Sequence, residues 1–365
     1  MTDRDEHRKQ ALEGRARSRL RGLLLGLALG ETLGTAGGEL PGHGPLRAGV
    51  CTQLACFTVE GSIRALVRGK HKGICHAPSV LWHAYCRWAA IQGIERNRME
   101  RRWGGHGSAW PDGWLAQVPV LAERRGSAPA TVAALSRIEH GTQGRPTTSS
   151  SGWHALGRTL PTAALGVLNS GSSMSTDARE VAALTHGSAE AQSATAYAVA
   201  VLRHCLGEGR IGDSLQTGMS DVRSGEGAAD GGEYSRLNAA LQAAADQPAD
   251  PTRLAVLAPD LTATSALLGG LYVATSFPDR TQVATAMRFA ALSPAGSSVA
   301  CVTGALLGAT HGVEALPVDL MSRHELAWVL DTLARDLDAE VTHSPGGSEY
   351  VEGWDPQWSN RYPGW

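Results

Sequence analysis

Lysine is almost missing from this 365-residue chain. Lys9, Lys70 and Lys72 are the only three, and arginine carries nearly all the positive charge. The formal net charge is −2, so neither a polyanion nor an anionic membrane surface is favoured as a partner. Aromatic residues make up only 5%, so the core has to come from Leu, Val and small residues packed helix on helix. Strand signals are scarce. No apolar run approaches ~18 residues without a charge, so no membrane span is expected, and Met1–Arg21 is a charged stretch with no secretory core. The cysteines (Cys51, Cys56, Cys75, Cys86, Cys205, Cys301) are scattered with no C-x-x-C pair, which points to reduced thiols and a cytoplasmic location. There is no P-loop, dinucleotide fingerprint, H-E-x-x-H or zinc pattern. Arg96, Arg98, Arg101 and Arg102 alternate with Glu95 and Glu100, which reads as a solvated helix face and not a nucleic-acid patch.

What the chain does have is helical periodicity. Leu20, Leu23, Leu24 and Leu27 fall on one helix face, and Leu326, Val329, Leu330 and Leu333 repeat the pattern near the other end. Ala- and Leu-rich stretches at 178–206, 236–246, 262–274 and 299–309 are good helix formers. Gly and Pro clusters at 34–49, 104–113, 141–152, 206–212 and 224–232 separate them. The expectation is an all-α chain. It has a charged N-terminal tail over 1–17, one orthogonal multi-helix domain over 18–340, and a C-terminal tail over 341–365. Trp354, Trp358, Tyr362 and Trp365 of that tail are expected to pack back on the body. Abundant Ala, Gly and Arg fit a GC-rich bacterial genome.

Five segments keep a common order. The chain opens with Arg21-Gly22-Leu23-Leu24-Leu25-Gly26-Leu27-Ala28-Leu29-Gly30-Glu31-Thr32-Leu33-Gly34. Gly49-Val50-Cys51-Thr52-Gln53 leads into Phe57-Thr58-Val59-Glu60-Gly61, and Gly152-Trp153-His154 leads into Gly157-Arg158. Thr185-His186-Gly187 follows, and Ser293-Pro294-Ala295-Gly296-Ser297-Ser298 precedes Gly304 and Gly308. Together these resemble the ADP-ribosylglycohydrolase family, which usually reads T-D-D-T-Q-M-T-L-F-T-x-E-G at the second segment and S-G-D-S-D-S at the last.

The resemblance implies a cleft in which two Mg²⁺ or Mn²⁺ ions, held by those aspartates, position ADP-ribose and an attacking water. Here Val50 and Cys51 stand where the paired aspartates would be, and Ala295 and Ser297 replace the other two. Three or more charged ligands are gone, so no Mg²⁺ or Mn²⁺ cofactor is expected. Glu31 keeps a carboxylate at the opening motif and His186 matches a family histidine, so these two are the candidate catalytic residues. Cys51, Thr52, Trp153, His154, Ser297 and Ser298 are the expected cleft positions. Arg158 reads as a structural ion-pair partner. The Gly-rich run Trp103–Trp110 resembles a lid.

Three functions stay open on the sequence. One is a pseudoenzyme that binds an ADP-ribose-like or other nucleotide-like small molecule, or an ADP-ribosylated partner. Another is a repurposed metal-independent enzyme, using acid–base or nucleophilic chemistry in specialised metabolism. The last is a regulatory scaffold whose cleft is filled by Trp153 and His154.

Overall fold

The computed structural model describes residues 3–104, 110–137, 139–168, 177–207, 211–224 and 231–364. Among them there is no β-strand; isolated bridges include Leu46 with His324 and Gly347 with Glu352. The expected all-α class is observed. Six helices position the residues of interest: α1 (Asp3–Thr35), α2 (Val50–Lys72), α3 (Ala77–Ile91), α4 (His154–Thr159), α5 (Ala263–Ser276) and α6 (Gly296–His311). The stretch read as helical over 178–206 is two helices, Ala178–Ala183 and Ala189–Leu206, broken where Thr185, His186 and Gly187 intervene. Residues 3–17 continue α1. The chain forms two compact units, one of 1–47 with 197–335, the other of 48–196 with 336–365.

The first unit is organised by a seam between α1 and α6. Gly22, Gly26, Gly30 and Gly34 recur every four residues and so line one ridge of α1. A Cβ on Gly22 would overlap the Gly308 carbonyl oxygen, and one on Gly26 that of Gly304. Gly30 meets Ala300, and Gly34 meets Gly296 and Ser297, in the same way. Backbone lies on backbone along the whole ridge, which no residue with a side chain permits. The predicted leucine face, Leu20, Leu23, Leu24 and Leu27, is buried as well. α5 packs on α6 by a related device: Val299 and Val302 fill the places that side chains at Gly269 and Gly270 would take. A Thr262 hydroxyl caps α5, accepting from the Ser265 N–H at 3.2 Å.

The second unit is built on α2. Its apolar window has the length and hydropathy of a membrane span but is buried inside the protein, as core helices are. A left-handed Gly73 (φ 69°) ends it, with its N–H on the Gly69 carbonyl at 3.0 Å. α3 packs closely where Gly61 faces Leu81 and Ala84. The C-terminal segment is tied down by Trp358, whose indole N–H donates to Glu340 at 2.7 Å, and by an Arg361–Asp336 ion pair at 2.7 Å. Lys70 pairs with Glu340 from α2 at 2.8 Å. Trp358 and Tyr362 are buried as expected, but Trp354 is 69% exposed. It sits at the end of a tight loop in which the Ser348 N–H bonds the Val351 carbonyl, and that loop holds it off the body. Trp365 lies outside the described residues. None of the six cysteines is in a disulfide.

Candidate functional site

α2 begins without a side-chain cap, because Gly49 offers no acceptor and no acidic residue occupies the first turn. α6 begins on Ala295, also with no side-chain cap. Each of these helix starts therefore lacks the N-cap side chain that commonly accepts from the first amides, an omission worth about 1 kcal/mol per cap. At α6 one local hydroxyl, that of Ser293, compensates in part. The Ala295 N–H bonds the Ser293 hydroxyl at 3.2 Å, and the Ser298 hydroxyl donates to the Ala295 carbonyl at 2.9 Å.

The candidate residues fall into two groups, one in each unit. In the first unit, Glu31 is buried on α1 within one turn of Gly34, and Gly34 abuts Gly296 and Ser297. The seam therefore brings Glu31 to the same end of α6 as Ala295, Ser297 and Ser298. Ser298 is buried and Ser297 half-buried. The neighbouring Thr32 hydroxyl is spent on the Arg47 carbonyl at 2.9 Å.

In the second unit, Val50, Cys51 and Thr52 are all buried in the first turn of α2. A Cβ on Gly157 of α4 would run into both the Cys51 sulfur and the Trp153 ring. Those two side chains thus occupy the place a side chain on Gly157 would take. Trp153 is buried and stacks on His154 with ring centroids 4.7 Å apart. His186 is buried beside Gly152, and its Nδ1 pairs with the Thr185 hydroxyl at 2.8 Å. The loop before α4 is laced to the 185–188 segment, with the Thr148 hydroxyl on the Thr185 carbonyl at 2.8 Å.

Arg158 departs from expectation. It is fully buried, yet no carboxylate pairs with it among the described residues. Its Nη2 donates to the Val181 carbonyl at 2.9 Å, and its guanidinium lies 4.7 Å over the Tyr85 ring. Nε and Nη1 have no hydrogen-bond partner among the described residues. This cation, added to burial, shapes the titration of its neighbours. Burial first, then Arg158, push His154 down to about 4. Burial, Arg158 and His154 push His186 well below the usual histidine value. Near neutral pH the group is two neutral imidazoles beside one guanidinium with no carboxylate partner among the described residues.

Why the α2 frame persists is also visible. Gln53 Nε2 donates to the carbonyls of Val120 (3.1 Å) and Glu123 (2.9 Å), while its Oε1 accepts from Trp88 and Gln92, each at 3.3 Å. Thr58 shares a hydrogen bond with the Tyr85 hydroxyl at 2.8 Å. Glu60 is buried between Arg64 and Arg87. Arg64 also holds Asp112 at 3.0 Å. Each retained residue is a fully engaged buried polar group that could not be lost without stranding its partners.

Sequence reasoning missed this Glu60–Arg64–Arg87–Asp112 network. Its signal was the i, i+4 spacing of Glu60 with Arg64 on α2 and of His83 with Arg87 on α3. His83 lies inside it, pushed down to about 2 by burial, then by Arg87 and Arg64. Of the expected lid, residues 105–109 lie outside the described residues. Trp103 and Trp110 both pack on His83, at 4.5 and 6.1 Å.

The donor chemistry can be compared with the ions the resemblance implies. Val50 and Ala295 have no ligand atom, Cys51 presents a soft sulfur, and Ser297 presents a neutral hydroxyl. These do not fit hard cations, which need several oxygens including carboxylates. No group of three or more His, Cys, Asp or Glu is gathered for a metal among the described residues.

A solved structure described as an ADP-ribosylglycohydrolase-related protein complex superposes with a TM-score of 0.54. It is 21% identical, and the match covers 90% of this chain and 100% of that one, a likeness of fold. No curated protein matches. The sequence model of the ADP-ribosylglycohydrolase family matches residues 12–346, nearly the whole chain, with the seam, the α2 frame and the Thr185–Gly187 turn inside it; this protein belongs to the ADP-ribosylglycohydrolase family.

Proposed function

We propose that this family member is a pseudoenzyme, with no dinuclear metal centre and no hydrolysis of ADP-ribosyl bonds. One observation carries the reading. Where the resemblance places a carboxylate ligand, Cys51 is packed with Trp153 onto Gly157, leaving no room for a methyl group. An ion and its ligand oxygens need a hydrated or polar shell, and that contact is apolar. The same burial argues against Cys51 as a nucleophile, because no reacting carbon can approach its sulfur from the Gly157 side. It favours a rebuilt, filled site over a repurposed catalytic one.

The test combines composition and turnover. Protein purified without chelator is analysed for Mg and Mn, then assayed on ADP-ribosylated arginine with each metal, with and without EDTA. The expected outcome is sub-stoichiometric metal and ADP-ribose release at background. A full complement of either metal with EDTA-sensitive turnover would overturn the reading.

A second reading, retained ligand recognition, has its own support in Arg158. A buried guanidinium with no partner at Nε and Nη1 among the described residues is costly. A ligand phosphate would supply the missing acceptors in bidentate form. Titration calorimetry with ADP-ribose, on the parent and on Arg158→Met, separates the readings. Binding lost in the variant supports recognition; no heat in either protein leaves the filled scaffold.

A further inference from the structure

The C-terminal turn of the second unit shows its aromatic residues to solvent. Tyr350 is 88% exposed, and Val351 and Trp354 are exposed with it. Three large apolar side chains within five residues, rimmed by charge, mark a contact surface. Tyrosine and tryptophan are also the residues that most often anchor one.

The turn has a well-tied backbone. The N–H groups of Gly347, Ser348 and Asp355 bond the carbonyls of Ser344 (2.8 Å), Val351 (2.8 Å) and Pro345 (3.0 Å). Gly353 packs on Gly346 and Gly347 with no room for a Cβ. The Glu349 N–H donates to the Lys70 carbonyl at 3.2 Å, which ties the turn to the end of α2. The aromatic residues therefore stand on a preorganised frame, and less ordering entropy is lost on contact.

Charge says what this turn faces. Residues 344–357 hold three carboxylates, Glu349, Glu352 and Asp355, and no basic residue. Asp355 accepts from the Gln357 N–H at 2.9 Å. Glu349 and Glu352 are exposed and make no ion pair among the described residues.

A surface of the opposite character lies on the same unit. The helix Arg96–Trp103 borders a depression lined by Trp82, Met99, Trp103 and Leu135, with Arg98, Arg102 and Arg137 around it. Its one acid, Glu95, lies 4.0 Å from Arg98, which also donates to the Ser136 carbonyl. Arg96 and Glu100 satisfy each other at 2.8 Å. Arg102 and Arg137 are left, both exposed and with no carboxylate partner among the described residues. The Arg102 guanidinium lies 4.9 Å over the Trp103 ring. The depression holds only about 20 Å³, room for a single water, so it cannot take in a ring. It offers guanidinium planes beside a half-buried indole, on which a ring can lie.

We propose that the turn of one copy docks on this arginine face of a second copy of the chain. Tyr350 and Trp354 stack on Arg102, Arg137 and Trp103, while Glu349 and Glu352 neutralise the two arginines. Two unlike patches meet, so copies add head to tail. The contact is small, and its dissociation constant is expected on the order of 10 µM. The inference shares no residue with the pseudoenzyme reading and does not rest on it.

Sedimentation velocity on the full chain, from about 1 to about 100 µM, tests it. The parent's average mass is expected to rise with concentration and to fall back as salt is added. Trp354→Ser and Arg102→Glu should each be monomeric throughout. Both replace exposed side chains, so both should melt with the parent. An equimolar mixture of the two variants supplies one intact turn and one intact arginine face, and should form dimers and nothing larger. A parent that is monomeric at about 100 µM would overturn the inference, as would a mixture that stays monomeric. Association lost in Trp354→Ser but untouched in Arg102→Glu would also overturn it, and would assign the turn to a two-fold contact with itself.

Discussion

Replacing Gly26 by alanine tests the α1–α6 seam most sharply. The added Cβ would overlap the Gly304 carbonyl oxygen, and the Ala305 N–H lies close behind it at 3.6 Å. The obstacle is backbone, so no rotamer change relieves it. The helices must separate, and because the ridge is continuous, the Gly22–Gly308 and Gly30–Ala300 contacts open too. A gap on the order of 1 Å forfeits a quarter to a half of the dispersion energy of the atoms along it. Overpacking of this kind costs about 1–3 kcal/mol, with a rigid obstacle at the upper end. Better helix propensity returns about 1 kcal/mol. The net expectation is about 2 kcal/mol of destabilisation, or roughly 4–8 °C in melting temperature for a unit of this size. Gly14→Ala is the internal control. It makes the same chemical change on the same helix with nothing within 4 Å, so only the propensity gain, up to about 1 kcal/mol, applies. Melting curves by circular dichroism on the pair decide the matter. If Gly26→Ala proves as stable as Gly14→Ala, the close approach is not what holds these helices together.

Acid stability should depend on His154. Its native pKa, about 4, lies below the unfolded value near 6.5, so between those limits the unfolded chain binds the extra proton. Stability is therefore complete above about pH 6.5 and falls as pH drops towards 4. His154→Asn should lose less melting temperature between pH 7 and pH 5 than the parent does, and an unchanged pH profile would contradict the assignment. His186 acts in the same direction, so the variant reduces the slope without removing it. Cys51→Asp should destabilise the metal-free protein by on the order of 3 kcal/mol, because it buries a carboxylate against Trp153. Urea denaturation measures this, and a neutral result would mean the position is wet. Trp358→Phe should cost about 1–3 kcal/mol, since it strands the buried Glu340 oxygen that the indole satisfies, with Lys70 holding the other oxygen.

The helices and the fold class were legible because Leu periodicity and Ala-rich runs are local signals, and Leu20–Leu27 lie buried as their spacing requires. The glycines of the opening motif were legible only as a likeness. Their reason, a facing backbone almost 300 residues away in the chain, is a contact that no local pattern announces. Arg158 illustrates the opposite problem. A buried arginine normally implies a carboxylate, and here Tyr85 and a carbonyl stand in for it. Trp354 was expected to pack inward on hydrophobicity alone, but the constraint came from the tight turn before it. The Glu60 network was written in two i, i+4 pairs, yet their convergence depends on how α2 meets α3. Where Cys51 and Trp153 lie relative to Gly157 could not be read either, because it follows from the packing of α4 against α2.

The seam also sets an order of events during synthesis. Its two ridges are encoded at opposite ends of the gene, one before residue 36 and the other after residue 295. At about 5–20 residues per second, α1 leaves the ribosome on the order of tens of seconds before α6 exists. During that wait its leucine face and its bare glycine ridge have no native cover. The second unit's central helices emerge and can settle in the interval, while the first unit stays an open chain. Until α6 is made, that apolar face depends on non-native contacts for cover. A truncation that removes α6 should leave α1 not merely loosened but permanently without its match.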